Sequence, residues 1–143
     1  MSDIINDELR RAFVAIADVL IPAFGDMPAA SEANVGGESL DRILTLRDDL
    51  KPAFIRGLRT AVGKPAAAAA LALNDSDPTA LATIGLVASA AYYMAPEVRL
   101  LIGYPGQDRS PIDPDAPPEY LRDNLLQPVI ARGAIYRPTP GRG

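Results

Sequence analysis

Apolar residues recur every three or four positions near the start of the chain, which predicts an amphipathic helix that packs against a core. Asp7 is placed to cap this helix, and Pro22 is placed to end it. The predicted buried stripe consists of Leu9, Ala12, Phe13, Ile16, Ala17 and Leu20.

Residues 23–38 are dense in Gly, Pro, Asn and Ser and predict a loop, and two more amphipathic helices follow it. Ser39 is expected to cap the second helix, and Pro52 stands in the first turn of the third. Gly63 and Pro65 should end the third helix. The apolar positions of the pair are Leu40, Ile43, Leu44, Leu46, Leu50, Phe54, Ile55, Leu58 and Val62.

The alanine-rich stretch "PAAAAALAL" has high helix propensity and predicts a fourth, short helix. Only Leu71 and Leu73 are large enough to contribute much to a core. Asn74 and Asp75 should stop the helix, because their side chains compete for backbone hydrogen bonds. The small alanine side chains should allow this helix to pack closely on its neighbours.

A long, nearly charge-free segment then gives the clearest helix signal in the chain. Asp77 stands at the cap and Pro78 in the first turn. Because the segment is apolar on all sides, it should be the central and most buried helix. Gly85 and Ala88 make it slim, so neighbouring backbones should approach closely there. One more short helix opens at Pro96.

The whole pattern predicts an all-α protein. No segment of residues 1–103 alternates as a strand does, so this part should form a compact bundle of five or six helices. Residues 104–143 hold eight of the fourteen prolines and should form a long, mostly irregular C-terminal arm. A helical turn or two is expected where Pro118 can open a helix that Pro128 closes.

The arm differs from a disordered tail because apolar and aromatic side chains occur throughout it. Its prolines reduce the entropy lost when an extended segment is fixed on a surface. Two interpretations are open: the arm covers its own bundle, or it docks on another protein. We favour docking, because the bundle should close without the arm. The residues predicted to contact the partner are Tyr104, Pro105, Ile112, Tyr120, Leu121, Leu125, Ile135 and Tyr136.

Composition then excludes several classes of function. The net charge is −4 and the 14 basic residues are spread along the chain, so no nucleic-acid patch is predicted. No apolar run approaches the roughly 18 residues that span a bilayer. Without His or Cys, no imidazole or thiolate can bind a metal or act in catalysis. Asp108, Asp113 and Asp115 are interleaved with Pro and Ser, and we expect solvated turn residues there. No catalytic, cofactor-binding or metal-binding residue is predicted.

The segment "RRAFVAIADVLI" resembles a twin-arginine export signal only superficially. Asp7 and Glu8 precede the arginines, and Asp18 interrupts an apolar run that is amphipathic. With no signal ahead of the first helix, a cytoplasmic location is expected. The alternative is a periplasmic location, reached by export together with a partner.

Several short motifs resemble the gluconate 2-dehydrogenase subunit 3 family. In that family the opening helix ends in Leu-Ile-Pro, which corresponds here to Leu20–Pro22. A loop of small residues leads to a helix with an Asp-Arg pair, here Asp41 and Arg42. A late Gly-Tyr-Pro-Gly corresponds to Gly103–Gly106. Members are small subunits of flavin-dependent dehydrogenases of the GMC oxidoreductase type.

The resemblance implies a non-catalytic subunit that binds and stabilises a large GMC-type sugar or alcohol dehydrogenase subunit. FAD and the acid–base residues would belong to that large partner, and this chain would bind no cofactor itself. The alternative is a self-sufficient helical module that binds an apolar ligand or forms a homodimer. The substrate of the complex would be determined by the partner.

Overall fold

The computed structural model describes residues 5–107 and 113–135, which form eight α-helices and one short 3₁₀ helix. The chain divides into two compact units, Met1–Gly106 and Gln107–Gly143. Within the described ranges, the β-structure consists of one isolated bridge between Phe24 and Met27. The all-α prediction is confirmed. The helices are α1 (Asp7–Leu20), α2 (Glu38–Leu46), a 3₁₀ helix (Asp48–Leu50), α3 (Lys51–Ala61), α4 (Ala66–Ser76), α5 (Pro78–Met94), α6 (Pro96–Leu101), α7 (Glu119–Arg122) and α8 (Gln127–Arg132).

The first unit is a bundle of six α-helices in which α5 is central. This helix packs against α1, α2, α3, α4 and α6. The rings of Phe13 on α1 and Phe54 on α3 meet in the core, with centroids 5.2 Å apart. The largest fully buried side chains are Phe13, Phe54, Ile16, Leu40, Leu44, Leu58, Ile84, Val35, Val87 and Val98.

Three helix starts test the capping predictions. The Asp77 carboxylate accepts a hydrogen bond from the Ala80 amide at 3.1 Å, which confirms the predicted cap of α5. The predicted cap of α1 is wrong by one residue, because the Asn6 side chain accepts from the Leu9 amide instead. The predicted cap of α2 at Ser39 is also wrong: the helix starts at Glu38 and its cap is Gly37, which has no capping side chain.

The alanine-rich helix α4 differs from its prediction at both its end and its buried face. It continues through Asn74 and Asp75, whose side chains are exposed and so do not compete for its internal bonds. Ala69, Ala70 and Leu73 are buried, whereas Leu71 is 69% exposed. Ala69 and Leu73, four residues apart, lie on the buried face of the helix, and Leu71 lies on the opposite face. Leu46, predicted as an apolar position of the bundle, is likewise exposed. Leu20, predicted in the buried stripe of α1, is also exposed, because it lies in the last turn of that helix.

Close helix approach occurs at a different glycine from the one predicted. A Cβ added to Gly57 on α3 would lie 2.9 Å from the Ala80 Cβ and 3.1 Å from the Ile84 Cδ1, both on α5. At Gly85, the predicted site, an added Cβ would meet only the Leu20 Cδ1 at 3.8 Å. The prediction for Gly85 is therefore wrong. Ala88 is fully buried, as predicted.

Candidate protein-binding surfaces

The residues predicted to contact a partner are divided between the two units. Tyr104 and Pro105, assigned to the arm from the sequence, lie in the first unit directly after α6. Ile112 and Tyr136 lie outside the described residues. Whether any of these residues touches a partner stays a prediction. The remaining four lie in the second unit and are all exposed: Tyr120, Leu121, Leu125 and Ile135.

Tyr104 is fixed by the way α6 ends. Gly103 has a positive φ of 67°, and its amide donates to the Leu100 carbonyl. The Tyr104 amide donates to the Arg99 carbonyl at 2.8 Å, which completes a Schellman motif. The Arg99 guanidinium carbon lies 5.4 Å from the centroid of the Tyr104 ring, within cation–π range. The ring is therefore held by its own unit while remaining half exposed.

The second unit contains a similar turn between its two short helices. Asn124 has a positive φ of 55°, and its amide donates to the Leu121 carbonyl. The Leu125 amide donates to the Tyr120 carbonyl at 3.1 Å, which is again the Schellman pattern. Pro128 stands in the first turn of α8. The prediction that Pro128 closes a helix is wrong, because a first-turn proline loses no intrahelical hydrogen bond.

Seven large apolar side chains of the second unit are exposed. Every described residue from 113 to 135 is exposed. Helices α7 and α8 have 4 and 6 residues, and helices this short are unstable alone in water. Exposed apolar surface of this extent commonly marks protein binding. The large apolar side chains are Tyr120, Leu121, Leu125, Leu126, Val129, Ile130 and Ile135.

The outer face of α5 is a second apolar surface, and the sequence pattern did not locate it. Leu86 and Tyr93 are exposed, seven residues apart and so on one face of the helix. Ala82 lies one turn before Leu86 and is also exposed. Because α5 is apolar on all sides, periodicity gave no signal for which face would remain uncovered.

The loop between α1 and α2 carries a third feature that the sequence pattern missed. Phe24 is 85% exposed, the highest value among the large apolar side chains of the described residues. It belongs to a tight turn in which the Phe24 and Met27 amides and carbonyls exchange two hydrogen bonds of 3.1 and 3.0 Å. The position of Phe24 within a Gly- and Pro-rich loop is the only sequence signal that pointed to its exposure.

Polar side chains beside a groove of the bundle connect its helices and loops. A groove of about 540 Å³ lies between α1 and residues 31–36. At its edge, Arg10 pairs with Asp41 at 2.8 Å, and the Asp18 carboxylate accepts from the Ser31 amide at 2.7 Å. No group of three or more metal-ligating side chains occurs in the part of the chain that the structure describes.

Tyr92 of α5 is a buried tyrosine whose surroundings affect its titration. Burial, with smaller effects from Tyr93 and Glu32, raises the pKa of Tyr92, which keeps its hydroxyl protonated. That hydroxyl donates to the Pro28 carbonyl at 2.8 Å. Tyr92 therefore anchors the α1–α2 loop to the central helix.

No protein-family model, no curated protein and no solved structure matches this chain. None of the helices in residues 5–107 and 113–135 combines the length and the apolarity that crossing a membrane requires.

Proposed function

We propose that this chain is a non-catalytic small subunit that binds and stabilises a large, FAD-dependent dehydrogenase subunit of the GMC type. The complex would oxidise a sugar or another alcohol, and FAD would be bound by the large subunit. The proposal combines the resemblance of the sequence motifs with the apolar surfaces of the molecule.

The observation that carries the proposal is the exposure of the second unit. Its described apolar side chains are exposed, and none belongs to a buried core. Leaving these side chains in water forgoes roughly 25 cal/mol of hydrophobic stabilisation for each Å² of apolar surface. A partner that covers Tyr120, Leu125 and Ile130 would recover that stabilisation and order the short helices α7 and α8.

The motif residues behind the resemblance have roles consistent with a scaffold. The Ile21 carbonyl accepts from the Ala30 amide at 3.1 Å, which closes the α1–α2 loop onto the end of α1. The Asp41 carboxylate pairs with Arg10 and so joins α2 to α1. Gly103 ends α6 through its positive φ. A subunit that supplies shape and leaves the chemistry to its partner needs residues of this kind.

The proposal is tested by co-expressing the tagged chain with GMC-type flavoproteins from its own genome, beginning with the one encoded nearest to it. We expect one flavoprotein to co-elute with the chain in size-exclusion chromatography and to carry the flavin absorbance. Because ligands that bind only the folded state raise stability, the melting temperature of the flavoprotein should increase in the complex.

The control is the chain purified alone, which we expect to be colourless. A chain that remains a monomer or homodimer beside every such flavoprotein would contradict the proposal and favour the self-sufficient module. Flavin retained by the chain after separation from all other polypeptides would contradict its non-catalytic role.

A further inference from the structure

Phe24 is presented to solvent by a turn of defined geometry. Gly25 has a positive φ of 58° while Asp26, the other central residue, does not, which is the pattern of a type II′ turn. Both bridge hydrogen bonds between Phe24 and Met27 are made. The Phe24 ring is therefore exposed on a turn whose backbone hydrogen bonds are made.

Three contacts hold the flanks of this turn on the bundle. The Ala30 amide donates to the Ile21 carbonyl at 3.1 Å, and the Tyr92 hydroxyl donates to the Pro28 carbonyl at 2.8 Å. The Ser31 amide donates to the Asp18 carboxylate at 2.7 Å. Ala30 itself is fully buried. A loop tied in this way loses little conformational entropy when a partner binds it.

An aromatic ring that is exposed and held in place has the properties of an interface anchor. Anchors are enriched in large aromatic side chains that fill a pocket on the partner. Met27, three residues away, is partly buried against the core, so the turn directs Met27 inward and leaves Phe24 outside. Because the Phe24 ring is exposed on a tight turn, the surface that would complement it is a pocket.

The charge around the turn specifies the rim of that pocket. No Lys or Arg occurs within the Pro22–Ser31 loop, whereas Asp26 lies in it and Glu32 follows it directly. Asp18 contacts the far end of the loop, where Arg10 and Arg11 line the same groove. Basic residues on the partner would complement these carboxylates. The same carboxylates disfavour the alternative of an anionic membrane surface, which attracts basic segments.

We infer that the Pro22–Ser31 loop is a second docking element, in which Phe24 enters an apolar pocket with a basic rim on the large flavoprotein subunit. This inference rests on the proposed function for the identity of the partner. It adds a contact on the bundle itself, formed by residues that the sequence pattern did not assign to an interface.

The test uses the full-length chain and the co-eluting flavoprotein, with the dissociation constant as the readout. Phe24→Ala is expected to raise the Kd about tenfold or more, because it removes an aromatic anchor. The matched control is Leu71→Ala, which removes another highly exposed apolar side chain, from α4, and should leave the Kd unchanged. Both variants should keep the helical circular dichroism and melting temperature of the original chain, since both side chains are exposed.

Charge complementarity has its own readout. Added salt should weaken binding of the original chain, and Asp26→Asn should reduce that dependence on salt. If the Kd of Asp26→Asn depends on salt as strongly as that of the original chain, the prediction of a basic rim on the partner is wrong.

Four further outcomes would overturn the inference. If the complex forms and Phe24→Ala binds as tightly as the original chain, the inference fails while the proposed function stands. If the original chain binds no flavoprotein, both fail. If the original chain forms a homodimer and Phe24→Ala does not, the partner that binds Phe24 is a second copy of this chain. Binding of the original chain to phosphatidylcholine vesicles, lost in Phe24→Ala, would identify a lipid surface.

Discussion

Gly57 allows α3 to pack against α5 without a side chain between them. An added Cβ would lie 2.9 Å from the Ala80 Cβ, which is shorter than the contacts that Cβ atoms make in proteins. Gly85 occupies the interior of α5 with space around it, since the nearest side-chain atom is 3.8 Å from an added Cβ. Gly57 and Gly85 destabilise their helices by the same intrinsic amount, so they differ only in how closely they are packed.

The two glycines predict opposite effects of the same substitution. Gly85→Ala should raise the free energy of unfolding by roughly 0.5–1 kcal/mol, because alanine is the better helix former. Gly57→Ala gains the same propensity but overpacks the α3–α5 contact, which typically costs about 1–3 kcal/mol, so stability should fall. Urea denaturation of both variants measures the difference. Equal changes in the two variants would show that α3 does not approach α5 at Gly57.

At the scale of elements, Asp77 joins three helices: it lies between the end of α4 and the start of α5, and it contacts the middle of α3. It follows α4, it caps α5 through the Ala80 amide, and its carboxylate pairs with Arg56 of α3 at 2.6 Å. The hydrogen bond from Arg56, followed by that from the Ala80 amide, lowers the pKa of Asp77 below its usual value. The charged form of Asp77 therefore stabilises the fold.

This arrangement predicts a pH-dependent stability contribution with a defined sign. Because the folded-state pKa is lowered, the contribution is complete above the unfolded-state pKa of about 3.9 and is lost as the pH falls through the folded-state value. Asp77→Asn keeps a capping oxygen but removes the charge. Its melting temperature should lie below that of the original chain at neutral pH and converge with it in acid. Asp75→Asn is the control for the loss of one carboxylate, and a difference that stays constant with pH would contradict the prediction.

At the scale of the whole molecule, the two units differ in how far their apolar side chains are buried. The buried side chains of the described residues all lie in the first unit. The second unit has two short helices and an exposed apolar surface. The hydrogen bond from the Tyr104 amide to the Arg99 carbonyl completes the C-terminal end of α6. A cut after Gly106 preserves that hydrogen bond.

Truncation after Gly106 is therefore expected to leave the bundle folded and to weaken binding of the flavoprotein. The helical circular dichroism of the bundle should remain, because its core is intact, while affinity for the flavoprotein should fall steeply with the loss of several apolar anchors at once. Co-expression followed by size-exclusion chromatography measures both. Unfolding of the truncated chain would show that the arm covers its own bundle. Co-elution at full stoichiometry would show that the bundle alone docks.

Much of the fold was determined by local sequence patterns. The apolar spacing of α1, the Asp77–Pro78 start of α5 and the absence of strand alternation each predicted what the structure contains, because helix periodicity and capping act over a few residues. Errors at Ser39 and Asn74 came from boundaries, where neighbouring residues compete to start or end a helix.

Tertiary structure decided which apolar residues are covered and which glycine is needed for packing. The sequence treats Leu71 and Leu73 alike, and it cannot distinguish Gly57 from Gly85, because burial depends on which helix lies opposite. The exposure of Phe24 likewise follows from how Tyr92 and Ile21 hold its loop, through contacts between residues distant in sequence. The sequence alone determined the lack of imidazole and thiolate chemistry, since no fold can supply side chains that the chain does not contain.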